Sequence, residues 1–106
     1  MNNSKVEFTA TLISILTVKE ALNSEMENFV RVRAAIDKRI LKEDDVVAIF
    51  NISSTTSYQA FFIDKDTDIE KLKEELKKMN VRLNYDSEKI LKRYIERLQK
   101  WRMLET

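Results

Sequence analysis

A chain of 106 residues is the length of one domain, and its 19 basic and 18 acidic residues nearly cancel to a net charge of +1. It has no Cys and no His, which excludes disulfides, thiolate chemistry, the commonest general base and the commonest metal ligand. It also has no Gly and no Pro, where average usage would give about 12% for the two together, so glycine-rich phosphate and dinucleotide loops are excluded.

Without Gly, any position needing φ > 0 falls to Asn or Asp, and Asn23, Asn51, Asn80 and Asn84 are the candidates. Few tight hairpins can be built that way, which favours helices. Residues 5–22 fit two patterns. Phe8, Leu12, Ile15 and Leu22 suit one helix face, while Val6, Phe8, Ala10, Leu12, Leu16 and Val18 alternate as a strand does. A helix is the expected form, with the β-branched content keeping a strand open. Thr and Ser interrupt the apolar run at 8–18 and no small-x-small site follows, so no secretory signal is expected. No uncharged apolar stretch is long enough to span a membrane, and a cytoplasmic protein is expected.

Residues 24–40 read as a helix opened by a Ser24-x-x-Glu27 capping box, with Leu22, Met26, Phe29, Ile36 and Ile40 at helical spacing. Arg31, Arg33, Lys38 and Arg39 lie on it. Residues 43–51 and 53–63 read as two short helices. Asp64 to Asp68 make an acidic linker. Thr67 and Glu70 form a second capping box for a helix reaching Asn80, with a seam of Ile69, Leu72, Leu76 and Met79. Residues 81–85 suit one short strand. The last helix, 86–104, is capped by Asp86, stapled by Tyr85 on Ile90, and striped by Leu91, Tyr94, Ile95, Leu98 and Trp101. The expected fold is therefore mainly α: one domain over 1–106, about five helices, with one or two short strands.

Residues 43–62 carry the most information. Val46, Val47, Ile49 and Phe50 supply an apolar face, Asn51-Ile52-Ser53 a corner, and Ser54 to Phe62 a second helix. This order resembles the helix-turn-helix of bacterial, plasmid and phage DNA-binding regulators. The resemblance implies sequence-specific binding of double-stranded DNA as a homodimer. Ser54, Thr55, Thr56 and Gln59 would contact bases. Arg31, Arg33, Lys38, Arg39 and Lys42 would contact phosphates, and Leu91, Tyr94, Ile95, Leu98 and Trp101 would form the dimer seam. The alternative is a small helical protein–protein interaction module, an inhibitor or adaptor with no nucleic-acid role.

Asp64, Asp66 and Asp68, with Glu75 eleven residues after Asp64, copy the ligand spacing of an EF-hand. The sixth position is Ile69 rather than Gly, so no metal is expected. No cofactor, small-molecule ligand or enzymatic activity is expected either, since no nucleophile elbow or cofactor motif is present.

Overall fold

The computed structural model describes residues 7–53 and 56–105, the last four of these by backbone alone. The chain runs β1 (Phe8–Thr17), α1 (Val18–Leu22), α2 (Glu27–Asp37), β2 (Val46–Ile52), β3 (Tyr58–Ile63), α3 (Ile69–Lys78), β4 (Val81–Leu83), α4 (Tyr85–Glu105). The four strands form one mixed sheet in the order β3-β2-β1-β4. β1 runs antiparallel to β2 and parallel to β4, and β2 runs antiparallel to β3. The fold is α/β, which corrects the expectation of a mainly α domain.

The largest correction falls on residues 43–62. β2 and β3 pair here as a β-hairpin, with Val46 opposite Ile63 and Asn51 opposite Tyr58. The two-helix reading of this segment is overturned. Asn51 lies in β2, and the Ile52 N–H donates to the Ser57 carbonyl at 3.1 Å to close the hairpin. The physical reason is burial from both sides. Val47, Ala48, Ile49 and Phe50 are all at 0% exposure, so the alternation that marks a half-exposed strand is erased. A short continuous apolar run cannot be told from a buried helix by periodicity.

β1 resolves the ambiguity at its own segment. Phe8, Ala10 and Leu12 point to one face, and the register then shifts between Leu12 and Ser14. After this bulge the parity flips, so Ile15 faces that side and Leu16 the other. Ile13, at the bulge, is left 50% exposed. Residues 18–22 are helical, and the joint is a capping box that the sequence reading did not include. The Thr17 hydroxyl accepts from the Glu20 N–H at 3.1 Å and the Glu20 carboxylate accepts from the Thr17 N–H at 2.9 Å. Those hydrogen bonds from the Thr17 backbone and hydroxyl hold the Glu20 carboxyl below its ordinary pKa.

Each sheet face has a core. On one, Ala48, Phe50, Phe61 and Ile63 meet α3 and α4 through Leu72, Leu76, Leu91 and Ile95. On the other, Val47, Ile49 and Ala60 meet α1 and α2 through Val18, Ala21 and Val30. An edge-to-face aromatic pair sits in each: Phe50–Phe61 at 5.8 Å and Phe29–Tyr58 at 5.3 Å between centroids.

The later elements follow the sequence more closely. α3 buries Ile69, Leu72 and Leu76, while Met79 ends outside the seam at 42% exposure. Its cap is Asp68, which accepts from the Glu70 N–H at 2.9 Å. Thr67 instead accepts from the Asp64 N–H. Asn80 takes a positive φ of 63°, as its residue type allows; Lys38, not among the candidates, does so at 54°. Residues 81–83 form β4, beside Phe8 to Ala10. Asn84, rather than Asp86, caps α4, accepting from the Ser87 N–H at 2.9 Å. The buried Ser87 hydroxyl in turn accepts from the Leu12 N–H at 2.9 Å, tying α4 to the β1 bulge. The staple is absent: Tyr85 and Ile90 are 71% and 53% exposed, and Lys89 sits over the Tyr85 ring. Among the described residues no helix is long and apolar enough to cross a membrane.

Candidate functional site: the α2–β3 groove

α2 carries two apolar stripes, roughly a third of a turn apart at 3.6 residues per turn. Val30 and Ala34 point into the core beside Arg33. Phe29, Val32 and Ile36 form the second stripe, and Val32 and Ile36 are 59% and 58% exposed. A surface helix ordinarily turns polar side chains to water on that side. Here the outward stripe and the edge strand β3 enclose a groove of about 260 Å³, lined by Phe29, Val32, Ile36, Tyr58, Gln59 and Ala60. The Phe29–Tyr58 contact joins the two walls.

Arg33 explains why this groove is bounded as it is. β3 is the edge of the sheet, and an open edge offers unpaired backbone groups to any passing strand. Arg33 is 3% exposed and reaches around that edge. Its Nε donates to the Ala60 carbonyl at 2.8 Å. Its two Nη atoms meet Asp37 on α2 at 3.2 Å and Glu75 on α3 at 2.7 Å. Its guanidinium lies 4.3 Å from the centroid of the Phe61 ring. A buried cation has to be paired and hydrogen-bonded, and this one is. The helices of opposite sheet faces are thereby clipped together across β3.

The residues singled out from the sequence are scattered. Ser54 and Thr55 lie outside the described residues. Thr56 is exposed in the hairpin connection, and Gln59 is half-buried in β3, opposite Phe50. Thr56 and Gln59 do not stand on a helix, so the geometry assigned to them is corrected with the fold. Of the five cations, Arg33 is enclosed and has no surface for a phosphate. Arg31 pairs with Glu27 at 2.9 Å. Arg39 lies over the Phe62 ring and 3.9 Å from Asp45. Lys38 and Lys42 are exposed and hold no ion pair among the described residues.

The expected dimer seam divides. Leu91 and Ile95 are 0% and 5% exposed and belong to the domain's own core, which removes them from any seam. Tyr94 and Leu98 pack at its margin, and Trp101 is 71% exposed. The EF-hand spacing is also dispersed. Asp64 accepts from the Asp66 N–H, Asp68 caps α3 and Glu75 holds Arg33. Among the described residues no three His, Cys, Asp or Glu side chains converge for a metal. The most embedded carboxylate is Glu88, 14% exposed, with Lys92 at 3.1 Å and Lys73 at 3.3 Å. Lys92 and then Lys73 hold its pKa below the ordinary value against the opposing effect of burial.

Sequence reasoning missed Val32 and left Ile36 in the helix core. The available signal was an excess: Phe29, Val30, Val32, Ala34, Ala35 and Ile36 are more apolar positions than one buried stripe can take.

A sequence family described as a domain of unknown function, DUF749, matches residues 8–95. The chain belongs to that family. The matched span opens at the first residue of β1 and closes at Ile95, so it contains both cores and the whole α2–β3 groove. The chain is 83% identical over 99 residues to the uncharacterized protein MJ0858 of Methanocaldococcus jannaschii, covering 93% of this chain and 88% of that one. No solved structure matches.

Proposed function

We propose that this protein is an interaction module, without catalytic activity, that captures an apolar segment of a partner protein in the α2–β3 groove. The observation that carries this reading is the pair Val32 and Ile36, both more than half exposed beside the 260 Å³ groove, on a helix whose other stripe already satisfies the core. Arg33 narrows the mode of binding. Its bond to the Ala60 carbonyl occupies the middle of the β3 edge, so a partner strand cannot add there without displacing a buried cation. Side chains rather than backbone therefore supply the recognition. A partner helix with apolar residues at i and i+4 matches the spacing of Val32 and Ile36.

The competing ligand is duplex DNA. Phosphate contact dominates affinity for DNA. Of the five cations expected to supply it, Arg33 is enclosed, Arg31 and Arg39 are engaged in ion pairs, and Lys38 and Lys42 alone are exposed without one among the described residues, which favours the protein partner.

The test is a peptide library displayed on phage, selected against the purified protein. Selected peptides should bind wild type and lose affinity about thirtyfold or more in Val32→Asp and Ile36→Asp, the ratio that about 2 kcal/mol represents. Undiminished binding by both variants would remove the groove from the function. Retention on duplex DNA at low salt, falling linearly with salt in log–log form, would favour the nucleic-acid reading instead.

A further inference from the structure

α4 continues past Ile95, the last buried residue among those whose side chains are described. Ile95 is 5% exposed, yet the helix runs on to Glu105, about 15 Å further at 1.5 Å per residue. On this extension Leu98 and Trp101 form an apolar ridge between two hollows. One, about 340 Å³, is lined by Tyr94, Arg97, Leu98 and Trp101. The other, about 260 Å³, sets the same Leu98 and Trp101 against Val46 and Ile63, with Asp44, Asp45 and Asp64 around them. Trp101 is thus flanked by an arginine on one side and, on the other, by three carboxylates and Lys65, whose ammonium is paired with Asp66 at 2.9 Å. Gln99 donates to the Lys65 carbonyl at 2.9 Å, which fixes the helix relative to the acidic loop.

We propose that this ridge is the contact between two copies of the chain, related by a two-fold axis through Trp101. In a two-fold interface the same patch serves both partners, so whatever lies on one side of the axis meets what lies on the other. An apolar centre with a cation on one flank and carboxylates on the opposite flank fulfils that condition. Arg97 of each copy meets Asp44, Asp45 and Asp64 of the other, and the two Trp101 rings and Leu98 side chains fill the middle. Two of the carboxylates are available for this, while Asp64 also accepts from the Asp66 N–H at 2.8 Å. Asp44 is exposed without a partner among the described residues, and Asp45 is held only by Arg39 at 3.9 Å. The mixed signs also set a second copy above the other occupants. Lys89, Arg93 and Lys100 on the exposed side of α4 would suit DNA or an anionic lipid surface, but the three aspartates beside Trp101 would repel either. This inference is independent of the groove on α2.

Trp101 is the chain's sole tryptophan, so its emission reads this surface directly. Raising the protein from low micromolar to millimolar should shift emission to the blue, with a parallel rise to dimer mass in light scattering. High salt should reverse both. Arg97→Glu alone, and Asp44→Lys with Asp45→Lys, should each weaken association about tenfold or more, and all three changes together should restore it to within about threefold. Emission that stays solvent-like while the mass stays monomeric at every concentration would overturn the proposal. So would failure of the combined charge exchange to restore the dimer in a protein whose circular dichroism is unchanged. A blue shift that arises only on adding anionic vesicles would move the surface to a lipid partner and equally overturn it.

Discussion

Among the described residues, thirteen buried ones make up the core under α3 and α4, and six make up the core under α1 and α2. The larger core receives side chains from all four strands and two helices, and its centre is the Phe50–Phe61 pair. The smaller core uses short side chains, Val, Ala and Ile, and completes itself with half-buried Phe29, Tyr58 and Phe62. This smaller core does not take up every apolar side chain of α2, and Val32 and Ile36 remain more than half exposed. The proposed division, stability on one side of the sheet and recognition on the other, rests on this difference.

Phe50→Ala offers the strongest way to break that division. Removing a fully buried ring should cost about 3–5 kcal/mol in urea unfolding. Its chain neighbour Ile49, pointing into the smaller core, should cost about 0.5–1.5 kcal/mol when trimmed to Val. If Ile49→Val proved the more damaging of the two, the smaller core would be the structural one. Arg33→Met comes next. It keeps much of the side-chain volume but removes a hydrogen bond to the buried Ala60 carbonyl and two ion pairs to partly exposed carboxylates, for an expected loss of about 1–3 kcal/mol. It also uncovers the Ala60 carbonyl, so the variant should self-associate through β3, seen as scattering mass beyond that of a dimer, which wild type does not reach.

A smaller effect is expected from Glu88. Its carboxylate is stabilised by Lys92 and Lys73 in the folded state, so its pKa is depressed there. The stability it contributes is present above its ordinary unfolded pKa and fades as pH falls through the lower folded value. Glu88→Gln should therefore flatten that part of the acid limb of the urea midpoint and lower the midpoint near neutral pH. An unaltered acid limb would assign the ion pairs no role in stability.

What the sequence disclosed and concealed follows the same asymmetry. α3 was legible because Ile69, Leu72 and Leu76 line one face against charged neighbours, and α4 because Leu91 and Ile95 do the same. α2 was legible as a helix, though not in its double stripe. β2 was hidden because both of its faces are buried, which turns alternation into a continuous apolar run. The Tyr58–Ile63 strand was hidden because its connection to β2 contains no Gly, and a glycine-bearing turn is the usual mark of a hairpin. β1 was ambiguous because the bulge at Ile13 changes which parity faces the core. Of the site, the aromatic Tyr58 and the basic Arg33 were in view. Arg33 reaches the Ala60 carbonyl across 27 residues of sequence and Tyr58 meets Phe29 from the same hairpin, pairings that no local pattern encodes.

The division between the two faces is tested most directly on one protein carrying Val32→Asp and Ile36→Asp together, through paired measurements of thermal unfolding and binding of a selected peptide. The expected result is an unfolding free energy within about 0.5 kcal/mol of wild type, because both side chains already stand in water, alongside loss of binding. A variant that unfolds several kcal/mol more easily, or that still binds the peptide undiminished, would contradict it.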